Sequence, residues 1–170
     1  TQTAPAETNV LSVTFSATPL ERVALWKRLV GEERPKRGAI LGPEREVSEQ
    51  RATAQTDSGM LIKESLSDPA DPFELLLLIG RHLGRWTGTD EQTLVCLRSV
   101  TALLDSMESS QVMHLLSVLS TRFEEAEVVA HYHLDPDAHD QQTIADLRPL
   151  FDSVVEFNEE LGWTVSRTEH

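Results

Sequence analysis

Apolar and polar positions along the chain alternate between two periods, and the change from one to the other marks out strands and helices. Residues 9–16 (NVLSVTFS) set Val10, Ser12 and Thr14 against Leu11, Val13 and Phe15, which predicts a first strand with apolar content on both faces. Thr18-Pro19-Leu20-Glu21 then reads as a helix start: Thr18 caps, Pro19 suits the first helical position and Glu21 returns the capping bond. Val23, Leu25, Trp26, Leu29 and Val30 form the apolar stripe of that helix, and Gly31 ends it. Residues 37–41 predict a short second strand broken by Gly42-Pro43, and residues 43–59 a polar, solvated loop before a short edge strand at 60–62. Asp71-Pro72-Phe73-Glu74 repeats the capping logic and opens a helix through Leu75, Leu78, Ile79, Leu83 and Trp86, stopped at Gly88. Gly80 and Gly84, four apart, suit close packing of that helix on a sheet.

Residues 93–97 (TLVCL) predict the buried central strand, which stops at Arg98 and Ser99 before a turn and a helical segment. A further helix capped by Ser109 or Ser110 carries Val112, Leu115, Leu116, Leu119 and Phe123. Residues 128–133 (VVAHYH) predict another buried strand, and Asp140 starts a helix with Ile144, Leu147, Leu150 and Phe151 that Pro149 weakens. Residues 153–157 and 162–167 predict an antiparallel pair joined at 158–161. Strand and helix thus alternate, which predicts an α/β fold of three αβα layers: a mostly parallel sheet with a C-terminal antiparallel hairpin. Residues 1–8 read as a disordered tail and residues 9–170 as a single domain.

Charge narrows the partners. Twenty-eight acidic residues against 15 lysines and arginines give a net charge of −13, so neither nucleic acid nor an anionic membrane is an expected partner. Lysine occurs only at Lys27, Lys36 and Lys63, and this acidic, lysine-poor balance resembles cytosolic proteins of salt-accumulating archaea; an acidic mesophilic protein is the alternative. The single cysteine, Cys96, falls inside the central strand and reads as a small core residue, which suits a reducing, cytoplasmic setting. No apolar run reaches the length of a membrane span, and the opening TQTAPAETNV has no basic flank or hydrophobic segment.

The order of elements over residues 9–167 resembles the RecA/KaiC-like branch of the P-loop NTPase fold. Residues 98–104 (RSVTALL) look like the segment that follows the metal-holding acid of that branch, with the acid replaced by Arg98. HYHLDPDAHDQQT and LFDSVVEF are similar to segments of an uncharacterised haloarchaeal family of short KaiC-like proteins. A phosphate cradle needs glycines, a lysine and a hydroxyl for magnesium. With Ser16 at the first glycine position, Glu21, Arg22 and Val23 stand where glycine, lysine and serine or threonine belong. The resemblance therefore implies a pseudo-NTPase without cofactor: a regulatory or signalling module that binds a protein partner or itself, as a homo-oligomer. A nucleotide or anion sensor is the alternative, with Arg22 and Arg98 as anion-site candidates at a helix amino terminus.

One other constellation carries chemistry. His131 and His133, two apart on a strand, share a side, and with Asp135 or His139 they have the donors of a three-ligand zinc or iron site, as in a metal-dependent hydrolase. The same residues also fit a turn, with Asp135 and Asp137 around Pro136 and Asp140 as a cap, or histidines that respond to pH or ligand. His82 and His114 read as surface or half-buried helix residues, Trp26 and Trp86 as core, and Trp163 as a contact residue. Ser16, Ser99 and Ser106 lack the glycines of a nucleophile elbow.

Overall fold

β1 (Thr8–Thr14) is buried at all seven positions, as a strand must be when neighbours pair on both edges and both faces are covered. The structure is a computed structural model that describes residues 7–15, 35–43, 54–55, 60–68, 70–86, 88–160 and 162–168. Around β1 lie β2 (Arg37–Pro43), β3 (Ala54–Gln55), β4 (Met60–Leu66), α1 (Pro72–Trp86), β5 (Gln92–Arg98), α2 (Val100–Ser106), α3 (Ser109–Glu125) and β6 (Val129–Tyr132). A 3-10 turn (Pro136–Ala138), α4 (Gln141–Leu147), a second 3-10 turn (Arg148–Leu150), β7 (Ser153–Asn158) and β8 (Gly162–Arg167) follow.

The large sheet runs β3-β4-β2-β1-β5-β6, and all its pairs are parallel except β3 on β4. Among the described residues β7 and β8 pair only with each other, as a separate antiparallel sheet. The α/β class and the C-terminal hairpin are therefore as expected. In register, Leu11 faces Ala39 and Val95, and Val13 faces Leu41 and Leu97. These side chains, with Leu66, meet Leu75, Leu78, Ile79, Leu83 and Trp86 of α1 and Val112, Leu115, Leu116, Leu119 and Phe123 of α3 in one core. Val10, Ser12 and Ile40, which point to the opposite face, are buried too. Full burial of each such aliphatic side chain contributes about 1.5–3 kcal/mol.

Several elements differ from the expectation. β1 begins at Thr8, which pairs with Gln92, so the last residue of the supposed tail belongs to the sheet; residues 1–6 lie outside the described ones. The helix expected from Thr18 to Gly31, with Ser16, Glu21, Arg22, Val23 and Trp26, also lies outside them. β2 runs on through Gly42-Pro43 because these residues pair with β4 alone, β1 having ended its register with β2 at Leu41. A proline there removes no bond to β1. Residues 60–62 are the start of a seven-residue internal strand, since β3 supplies an edge that the polar 43–59 stretch did not suggest.

Local bonds explain the helix ends. Asp71 Oδ1 accepts from Phe73 N at 2.8 Å and Glu74 N at 3.3 Å, the expected cap. Glu74 does not return the bond to Asp71: its carboxylate accepts from Ser67 N and Asp68 N at 3.0–3.1 Å, tying the β4–α1 turn instead. The backbone N–H groups of Asp68 and Ser67 hold the Glu74 carboxyl below its ordinary range. α3 is capped by Glu108 rather than by Ser109 or Ser110, with Gln111 Oε1 accepting from Glu108 N at 3.3 Å. α4 starts on Asp140, whose Oδ1 accepts from Thr143 N at 2.8 Å.

Gly80 and Gly84 face solvent, and a Cβ on either would meet nothing within 4 Å, so the close packing expected of them is absent. Both occupy ordinary helical positions. Gly80→Ala and Gly84→Ala should each raise the unfolding free energy by about 0.5–1 kcal/mol, read as a higher denaturant midpoint at unchanged slope.

Candidate functional site

The carboxyl ends of β1 and β5 are where the parallel order reverses, β2 and β4 lying to one side and β6 to the other, and crevices at such points take ligands in open α/β sheets. Thr14, buried, closes β1 and sits in register with half-exposed Arg98. Ser99 follows in the left-handed region at φ 74°, a conformation costing a non-glycine residue about 1–2 kcal/mol. Its Oγ accepts from Ala102 N at 3.1 Å, capping α2. The neighbouring strand end is stitched to this turn: Val100 N donates to His133 O at 2.8 Å, His133 N to Leu97 O at 3.1 Å, and Asp135 N to Thr101 Oγ1 at 2.9 Å. Arg98 thus presents one cation at the strand end, where the resemblance expects an acid. Its expected companion Arg22 lies outside the described residues.

The histidine segment is placed differently from the expected strand. β6 is a four-residue sheet edge in which exposed Val129 and His131 alternate with half-buried Ala130 and Tyr132, not a strand buried on both faces. His131 pairs with Cys96, and exposed His133 lies just past the strand. Asp135 Oδ1 accepts from Asp137 N at 3.1 Å to cap the 3-10 turn, and His139 is half-buried with Nε2 lacking a hydrogen-bond partner. Among the described residues, no three His, Cys, Asp or Glu side chains gather closely enough to hold a metal ion. His131, His133, Asp135 and His139 are therefore not brought together as a ligand set. Tyrosine occurs only at Tyr132, whose ring lies between Phe123 and Phe151, at centroid distances of 6.4 and 4.9 Å. Burial pushes its hydroxyl up to about 12. Tyrosinate absorbance should accordingly rise with a midpoint near 12 in the folded protein and near 10 once unfolded. Because the folded value is the higher, this group's contribution to stability is complete below pH of about 10 and is lost as pH climbs toward 12.

His82 is fully buried, against the expectation of a surface or half-buried residue, because it sits on the apolar stripe of α1 between Ile79 and Trp86. Its Nε2 lies 2.9 Å from Glu64 Oε2, and Arg81 Nη1 lies 3.1 Å from Glu64 Oε1. His114 is exposed and Trp86 is core, as expected.

The hairpin carries the most conspicuous surface. Register pairs Val155 with Val165 and Phe157 with Trp163, so all four side chains stand on one face. They are 56%, 66%, 62% and 72% exposed, and the Phe157 and Trp163 rings lie 5.0 Å apart. The opposite face is anchored: Arg148 Nη2 donates to Glu156 Oε1 at 2.8 Å and Arg148 Nη1 to Ser166 Oγ at 3.1 Å, while Thr168 N donates to Asp152 O at 2.9 Å. Beneath it a groove of about 430 Å³ runs between α4 and β8, lined in part by Ile144, Pro149 and Thr168. The signal for this patch lay in the sequence, in the alternation of Val155 with Phe157 and of Trp163 with Val165 about a short turn.

Among the described residues no helix is long and apolar enough to cross a membrane. No characterised protein matches the chain. In fold it is similar to a solved structure from Pyrococcus horikoshii OT3, the subject of a structural study under Project ID PH0250. The two are 11% identical with a TM-score of 0.51, over 98% of this chain and 88% of that one. Residues 1–157 match the family of unknown function DUF7504, and the chain belongs to that family.

Proposed function

We propose that the protein is a non-catalytic, RecA/KaiC-like interaction module of the cytoplasm that binds protein through the free face of its C-terminal hairpin. The observation that carries this reading is the exposure of Val155, Phe157, Trp163 and Val165 in two cross-strand pairs. Exposed aromatic residues clustered on one face are what an interface core requires, and a contiguous exposed apolar patch marks an interaction site. Arg98 at the end of β5 supports the absence of phosphoryl transfer, since a guanidinium there cannot hold magnesium. The surplus of acid supports a protein partner over nucleic acid, and a haloarchaeal, salt-adapted setting accounts for its magnitude.

The test compares the full chain with a Phe157→Ser/Trp163→Ser variant as bait at molar potassium chloride. The proteins retained by the parent chain should be lost from the variant, whose far-ultraviolet spectrum stays unchanged. Retention of the same proteins by both would remove the hairpin as the site. Mg-ATP turnover that disappears on changing Arg22 would overturn the non-catalytic reading altogether.

A further inference from the structure

We infer that the occupant of the hairpin face is the same face of a second copy of this chain, in a two-fold pair. This rests on the reading of the hairpin as a protein-binding surface and names its partner. A two-stranded sheet has too few contacts to be stable alone and gains by being covered on its free side. The charges along it differ from end to end: Glu159 and Glu160 occupy the turn, and Arg167, paired with Ser153, is in register with the apolar face at the other end, where it also borders the groove beside α4. Between these ends the face carries Val155, Phe157, Trp163 and Val165, and no charge.

A two-fold axis through the middle of that face runs the two hairpins in opposite directions. The acidic turn of each copy then meets Arg167 of the other, and the large Phe157–Trp163 pair of each lies over the small Val155–Val165 pair of its mate. Both matches follow from one operation, which is the self-complementarity an isologous interface requires. The four side chains expose about 500 Å² of surface per copy, so the pair buries about 1,000 Å², the lower limit for a specific interface. Association is therefore weak and reversible.

Salt separates this occupant from a basic partner. Two chains of charge −13 repel each other at low ionic strength, and this surplus outweighs the two Arg167–turn contacts at the ends of an apolar centre, so screening strengthens the pair. A basic partner would instead be released by salt.

Sedimentation equilibrium of the full chain over a wide concentration range should show a monomer–dimer equilibrium that tightens from low salt to about 1 M potassium chloride. Trp163→Ser should weaken it by at least about thirtyfold. Arg167→Glu should weaken it about tenfold, and adding Glu159→Arg and Glu160→Arg to that variant should restore it, a recovery that misfolding cannot mimic. A parent chain that stays monomeric throughout overturns the second copy as occupant, as does dimerisation indifferent to Trp163. Capture on the bait column counts any protein held through the hairpin, this chain included, so a chain that stays monomeric but holds other proteins sinks the dimer alone, while a hairpin that holds nothing sinks the protein-binding reading as well.

Discussion

Leu97→Ala should lower the unfolding free energy by about 3–5 kcal/mol, the upper part of the range for a truncated core leucine. Leu97 is fully buried on β5, in register with Val13 of β1 and Tyr132 of β6, so the strands on both sides hold the site open. Neighbours fixed by ladders on two edges collapse little into a void, which is the condition under which the cavity left behind adds most to the lost transfer energy. Against a total stability of about 5–15 kcal/mol for a domain of ordinary size, such a loss is a large fraction. Urea unfolding followed by far-ultraviolet dichroism reads it directly. Leu77→Ala is the control: Leu77 is 66% exposed on α1 and should change stability by no more than about 0.5 kcal/mol. Equal effects at the two positions would refute the placement of the core.

Glu64→Ala should cost about 1–3 kcal/mol because it strands His82 rather than because it removes a favourable contact. The imidazole is wholly buried, its Nε2 faces Glu64 Oε2, and its Nδ1 has no hydrogen-bond partner. Without the carboxylate both ring nitrogens sit in a low-dielectric setting with nothing to bond. His82→Leu should cost less than Glu64→Ala, since leucine leaves no buried polar atom while Glu64 keeps Arg81 at 3.1 Å. The double variant Glu64→Ala/His82→Leu should cost less than the sum of the two single changes, giving a coupling energy of about 1 kcal/mol or more in a double-mutant cycle. Strict additivity would show that the two residues do not act as a pair.

The fold was legible wherever the chain states its own burial. Leu11, Val13, Val95 and Leu97 stand in apolar runs that only a doubly covered sheet explains, and Leu75 through Trp86 keep helical spacing without a break. What escaped reading depended on partners remote in sequence. Residues 60–62 looked like a short edge strand because nothing in the polar stretch before them announces β3. His82 looked like a surface or half-buried residue because its partner, Glu64, lies 18 positions away on another element. The histidine segment shows the same limit from the other side. Its spacing suits a metal, yet the backbone N–H and C=O of His133 join it to the β5–α2 turn, and Asp135 is taken up by the 3-10 turn. The hairpin face needed both a register and a knowledge of which side Arg148 holds down, and alternation supplied only the register.

One rim of the six-stranded sheet is short: β6 offers four residues. Edge-on polymerisation needs a long row of open backbone groups, and this rim lacks one. Crowded at high concentration, such molecules find little ladder along that rim on which to grow. Growth from β6 is thereby discouraged in a protein that nonetheless keeps an oily surface in view of its neighbours.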